Sequence, residues 1–187
     1  MKVLIIGDVM GKPGRDAMKE FLDKKKNDYD FVIVNGENAA AGFGITPKIA
    51  DEFFELGVDV ITSGNHIWDK KELYSYLNEN KNILRPLNYP KGVPGFGYTI
   101  KENGKGEKIA VINIQGRVFM PEVDSPFQRI EEAIEEIKKE TKNIIVDFHA
   151  EATSEKLAMG WYLDGRVSAV YGTHTHVQTA DERILEK

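Results

Sequence analysis

The sequence contains no cysteine, which removes disulfides, thiolate metal ligands and cysteine nucleophiles together. Any metal must therefore be held by nitrogen and oxygen donors, a set that suits divalent ions such as iron, manganese or zinc. A basic surplus is also missing. Lys and Arg number 25 against 30 Asp and Glu, for a net charge of −5, so nonspecific binding to nucleic-acid backbones lacks its usual electrostatic source. Long apolar runs are absent as well. The first one, residues 3–6, stops at Gly7-Asp8, too short for an export signal or a bilayer span. The expectation is a cytoplasmic protein with no membrane partner. Two familiar phosphate signatures and one nucleophile signature are missing too. Gly11-Lys12-Pro13-Gly14 lies near a strand end but lacks the G-x-x-x-x-G-K-[ST] order, and neither G-x-G-x-x-G nor G-x-S-x-G occurs.

What is present is an α/β rhythm. The chain has 187 residues, enough for one domain that buries most of its unfolded surface; the expectation is a single domain over 1–187. Strand candidates are residues 3–6, 31–34, 58–61, 109–114, 144–148 and 169–171. Most are rich in Val and Ile and nearly continuous in apolar character, as in strands covered on both faces. Ser125-Pro126-Phe127-Gln128 predicts a helix start with Ser125 as cap. Phe127, Ile130, Ile134 and Ile137 then share one stripe. Thr46-Pro47 opens another helix, with Ile49, Phe53 and Leu56 inward and Gly57 as its stop. Weaker helical patterns cover residues 13–26 and 154–163. Residues 97–101 and 108–114 flank Asn103-Gly104-Lys105-Gly106 and predict a hairpin, so the strands do not all belong to one parallel sheet.

The chemistry gathers where the strand candidates end. Asp8 follows the first, Glu37-Asn38 the second and Asn65-His66 the third; His149 closes the fifth, and His174 and His176 follow the last. Sites in α/β sheets form at these carboxyl ends. The chain has four histidines, and all four fall in this set. Each residue has a plainer reading: Asp8 as a turn residue, Glu37-Asn38 as loop solvation, His174 and His176 as strand decoration. The convergence of strand ends outweighs them. Arg117 could reach a phosphate, although a surface arginine is the slightly favoured reading.

The ordered blocks Gly7-Asp8-Val9-Met10-Gly11, Asn35-Gly36-Glu37-Asn38-Ala39-Ala40, Gly64-Asn65-His66-Ile67-Trp68-Asp69, Asp147-Phe148-His149-Ala150-Glu151 and Gly172-Thr173-His174-Thr175-His176-Val177 resemble the calcineurin-like metallophosphoesterase superfamily. More closely, they resemble its bacterial YmdB-type phosphodiesterase branch. The resemblance implies an αββα sandwich of mixed sheets flanked by helices, with the second sheet incomplete because relatives continue beyond the point where this sequence ends. It implies two divalent metals, iron or manganese ahead of zinc. Asp8, Glu37 and His176 would hold one; Glu37, Asn65, His149 and His174 would hold the other, with Glu37 bridging. Met10 stands where the wider superfamily usually has a histidine, so one ion would lose a nitrogen ligand.

The implied activity is hydrolysis of cyclic nucleotides, 2′,3′-cyclic forms by resemblance, through attack of metal-activated hydroxide on phosphorus. His66 would act as general acid and Asn38 would contact the phosphate. Two divalent cations outweigh the charge of Asp8 and Glu37, which favours an anionic substrate within an acidic chain. Ribonuclease or phosphomonoesterase activity at the same site, or a metal-binding regulator with little turnover, are the alternatives. RNA as a substrate and a homo-oligomer remain open.

Overall fold

A computed structural model describes residues 1–187. Its elements run β1 (Val3–Ile6), α1 (Gly11–Lys25), β2 (Phe31–Asn35), α2 (Pro47–Glu55), β3 (Val60–Thr62), α3 (Leu73–Glu79), β4 (Tyr98–Glu102), β5 (Lys108–Gln115), α4 (Pro126–Ile137), β6 (Ile144–Ala150), α5 (Thr153–Tyr162) and β7 (Ala169–His174). The strands form two sheets, a three-stranded one in the order β1-β2-β3 and a four-stranded one in the order β4-β5-β6-β7. The first is parallel throughout. The second is mixed, because the β4–β5 hairpin is antiparallel while β5, β6 and β7 run parallel.

Side-chain alternation along the strands explains why two sheets stack. On β2, Phe31 and Ile33 enter a cluster with Val60, Ile109, Val111 and Ile145, which come from both sheets. Val32 and Val34 point the other way, into a cluster with Met18, Leu22, Ala50, Phe53, Leu73 and Leu77 of α1, α2 and α3. Across the second sheet, Ala110, Ile112, Ile114, Ile144, Val146 and Phe148 pack under Ile130, Ile134 and Ile137 of α4 and Met159 of α5. Three apolar layers thus alternate with helices, sheet, sheet and helices, the expected αββα order. Complete burial of each large aliphatic or aromatic side chain contributes about 1.5–3 kcal/mol.

The two helix starts with a clear local signal, α2 and α4, differ in how they are capped. Thr46 caps α2 by accepting a hydrogen bond from the Ile49 amide at 3.3 Å. Gly57, at φ +88°, closes α2: its amide donates to Phe54 O at 2.9 Å and the Val58 amide donates to Phe53 O at 3.1 Å, the paired bonds of a Schellman turn. Ser125 departs from expectation. α4 does begin at Pro126, yet the Ser125 hydroxyl makes no capping bond. Its carbonyl accepts from the Arg129 amide at 3.0 Å instead, and Pro126 has no N–H to satisfy. The short helix α3 and a 3-10 turn at Asn65–Trp68 had no clear periodic signal.

Candidate metal centre

The face between the sheets changes character toward the strand ends. The parity that sends Ile33, Val60, Val111 and Ile145 into the apolar layer continues to Asn35, Thr62, Asn113, Asp147 and His149, all fully buried. These polar residues satisfy one another across the sheets. The Asn113 amide nitrogen donates to Ser63 O at 2.9 Å while its oxygen accepts from the Ser63 amide at 2.9 Å. Asp147 accepts from the Thr173 hydroxyl at 2.6 Å, from the Thr62 hydroxyl and from Asn35 Nδ2 at 3.3 Å.

His149 stands at the end of this network. Its Nδ1 lies 2.9 Å from the Thr173 hydroxyl, directly opposite it in the β6–β7 register. Its Nε2 faces Glu37 Oε1 at 3.0 Å and Asn65 Oδ1 at 3.2 Å. Since the Thr173 hydroxyl proton goes to Asp147, Nδ1 must carry a proton toward Thr173, which leaves Nε2 of the neutral ring with a free lone pair, able to bind a cation but not to donate to Glu37. The His174 ring packs edge-on against His149, with centroids 4.9 Å apart. Ligand-type atoms of Glu37, His149 and His174 all lie within 4.8 Å of one another.

Beside this trio lies Asp8. Its Oδ2 accepts the His174 amide at 3.1 Å. Its Oδ1 is buried without a hydrogen-bond partner, and His176 Nε2 is 3.6 Å away. An orphaned carboxylate oxygen within a nitrogen and oxygen cluster is the position a cation would satisfy. His174 and His176 sit at φ +91° and +48°, a region that non-glycine residues enter only when surrounding structure holds them there. Gly64 makes the close approach possible: a Cβ there would lie 2.0 Å from His149 Nε2.

Electrostatics fit the same picture. Burial pushes the Glu37 carboxyl up, but the hydrogen bond and charge of His149 outweigh it and hold the group below its ordinary value. Burial depresses His149, yet its hydrogen bond to Glu37 and the charges of Glu37 and Asp147 raise it overall. Burial and the neighbouring His149 charge lower His174. Complete burial lifts Asp147 to about 6, despite hydrogen bonds from Thr173 and Thr62. Glu37 and His149 thus form a charge-compensated buried pair, in which a divalent cation would supply the positive charge that the imidazole proton otherwise brings.

His66 lies at the rim, half-buried, with its amide on Glu37 Oε2 at 3.0 Å and its Nδ1 on Asp69 Oδ2 at 2.8 Å. That contact leaves Nε2 as the ring's outward nitrogen. Asn38, expected at the phosphate, is buried. Its Nδ2 donates to Gly42 O at 2.8 Å and its Oδ1 meets His176 Nε2 at 3.2 Å, so in this geometry both ends of the amide are engaged in holding His176 and the following loop. Arg117 is exposed; its backbone amide is taken by the buried carboxylate of Glu155 at 2.9 and 3.1 Å. Asp147, Thr173, Asp69 and Glu151, whose Oε2 lies 3.0 Å from His174 Nε2, complete the surroundings. None was singled out by residue type, although each lies inside or beside a block that carries the resemblance.

Residues 4–187 match the family described as YmdB-like protein. The chain belongs to that family. The YmdB-like chain is 57% identical over 190 residues to a Bacillus subtilis (strain 168) protein named 2′,3′-cyclic-nucleotide 2′-phosphodiesterase, covering 100% of this chain and 71% of that protein. Among solved structures, a hypothetical protein from Thermus thermophilus superposes with a TM-score of 0.93 at 48% identity, over 99% of this chain and 72% of that one. A structure described as a novel phosphatase from Mycoplasma pneumoniae gives 0.89 at 39% identity, over 99% and 68% of the two chains. Within this family the chain is a phosphoesterase.

Proposed function

We propose that the chain is a two-metal phosphodiesterase that hydrolyses cyclic nucleotides, with 2′,3′-cyclic forms as the leading substrates. The observation that carries this reading is the buried, unpartnered Asp8 Oδ1 beside the Glu37–His149–His174 cluster. Asp8, Glu37 and His176 are assigned to one ion, and Glu37, Asn65, His149 and His174 to the other. Glu37 is shared because its two oxygens can face two cations. Iron or manganese is favoured over zinc. Held by these residues, divalent ions would supply Lewis-acid activation of water and charge neutralisation at the phosphoryl oxygens.

The chain's own groups then divide the work. The Asp147–Thr173–His149 chain fixes one imidazole so that Nε2 points at Glu37. Asp69 accepts from His66 Nδ1–H and fixes the ring with Nε2 outward, the atom that would protonate a leaving oxygen when the ring carries both protons. Asn38 steadies His176.

Metal analysis of the purified protein, with hydrolysis of cyclic nucleotides, short RNA, phosphomonoesters and bis-p-nitrophenyl phosphate, tests the reading. Metal-dependent turnover with a preference for 2′,3′-cyclic nucleotides is expected. Tight metal binding without turnover of any ester would overturn it in favour of a regulator. His174→Ala should lose metal and hydrolysis while keeping the fold. His66→Ala should keep metal and lose turnover, most of all with poor leaving groups.

A further inference from the structure

A solvent-exposed aromatic ring stands beside the proposed general acid, on a loop built to present it. Phe43 is 57% exposed, and its ring meets the His66 imidazole edge-on, with centroids 4.9 Å apart and planes at 62°. The backbone around it is far from relaxed. Ala41, Gly42 and Gly44 have φ values of +57°, +100° and +78°, and for alanine that region brings its Cβ too close to the backbone. Such strain persists only where surrounding bonds impose it.

Those bonds are present. The Ala40 amide donates to Gly44 O at 2.9 Å, the Gly42 amide to Asn38 O at 3.2 Å, and Asn38 Nδ2 back to Gly42 O at 2.8 Å. The Arg15 guanidinium donates to Ala39 O. On its far side the loop presses on the turn that carries His66: a Cβ at Gly44 would come within 2.9 Å of Lys70 Cγ and 3.3 Å of both Asp69 Cβ and His66 O. Phe43 is therefore held in a fixed relation to His66. Its ring buries little apolar surface there, and Asp69 already orients the imidazole.

We propose that Phe43 is the nucleobase platform of the site, the residue that makes the substrate class nucleosidic rather than phosphodiesters at large. The inference rests on the cyclic-nucleotide reading above and adds a specificity determinant to it. When a cyclic nucleotide is opened, the oxygen that leaves phosphorus and takes a proton is a ribose hydroxyl. The ribose stays bound to phosphorus through its other ester oxygen, and a ribose oxygen released toward His66 brings its base toward the ring packed against His66. Base-on-aromatic stacking tolerates any base, so Phe43 would select for a base without selecting which one.

The experiment compares two substrates on the metal-loaded protein: 2′,3′-cyclic AMP, and methyl ribofuranoside 2′,3′-cyclic phosphate, which has the same cyclic ester and no base. Phe43→Ala and Phe43→Leu should each lower the ratio of kcat/KM on the nucleotide to kcat/KM on the base-free ester by about tenfold or more, mainly through KM. Phe43→Trp should preserve the ratio. Equal loss on both substrates would mean that Phe43 merely positions His66, and would overturn the proposal; so would a full ratio in Phe43→Leu, which keeps bulk without a π-face. Wild-type protein that turns over both esters equally well refutes the platform and leaves the phosphodiesterase intact. Protein that turns over neither refutes both.

Discussion

Replacing Thr173 by valine keeps its shape and removes one oxygen. That oxygen joins two buried groups, accepting from His149 Nδ1 at 2.9 Å and donating to Asp147 Oδ1 at 2.6 Å. Asp147 keeps the Thr62 and Asn35 bonds on its other oxygen. Oδ1 and Nδ1 would each be left without a partner, and every buried group so stranded costs about 1–3 kcal/mol. The variant should therefore lose roughly 2–6 kcal/mol, a large share of the 5–15 kcal/mol typical of a folded domain. A second effect separates this network from ordinary packing. With its back bond gone, the His149 imidazole is free to rotate, and loss of such an outer partner typically weakens metal binding by about 10–100-fold. Urea unfolding of the metal-free protein measures the first effect, and calorimetric metal titration of still-folded variant measures the second. Thr173→Ser restores the hydroxyl and should recover most of the affinity. Unchanged metal affinity in a folded Thr173→Val protein would refute the assigned role.

Gly64→Ala would put a Cβ 2.0 Å from His149 Nε2; metal content by elemental analysis should fall sharply, and normal loading would argue that the imidazole is not a ligand. Thr46→Ala should cost about 1 kcal/mol in urea unfolding through loss of its cap, whereas Ser125→Ala, which breaks no capping bond, should stay within about 0.5 kcal/mol. Glu131 is held down to about 2 by the Arg166 guanidinium and the Tyr162 hydroxyl. A depressed carboxyl stabilises above its unfolded value of 4.5 and loses that contribution as pH falls through its folded value. Glu131→Gln should thus be less stable than wild type at pH 7, and the gap in unfolding midpoints should close between about pH 4.5 and 2; a gap that persists at pH 2 would contradict the ion pair.

The strand ends were legible because two unlike signals met there: β-branched runs that stop abruptly, and every histidine of the chain within a few positions after such a stop. Both survive as β1, β2, β3, β6 and β7 with Asp8, Glu37, Asn65, His149, His174 and His176 around one spot. The inner polar layer was not read. Asp147 and Thr173 lie two positions and one position from a histidine, and only knowledge of which face each strand turns to its neighbouring sheet separates them from ordinary strand residues. Asn35 and Asn113 pass unnoticed for the same reason. The contacts of the Asn38 amide with Gly42 O and His176 are likewise invisible to residue type. The helix α3 has seven residues, too few turns to establish a period. Ser125 matched a capping pattern whose geometry the chain does not adopt.

The proposed donors come from opposite halves of the chain: Asp8, Glu37 and Asn65 follow strands of the first sheet, and His149, His174 and His176 lie on or after strands of the second. Asp8 and His174 are 166 positions apart. A cation gripped from both sides would behave as a removable clasp on a very long loop, and its binding energy would count toward holding the layers together. Chelators should therefore lower the unfolding temperature of the whole molecule, both sheets and their helices together.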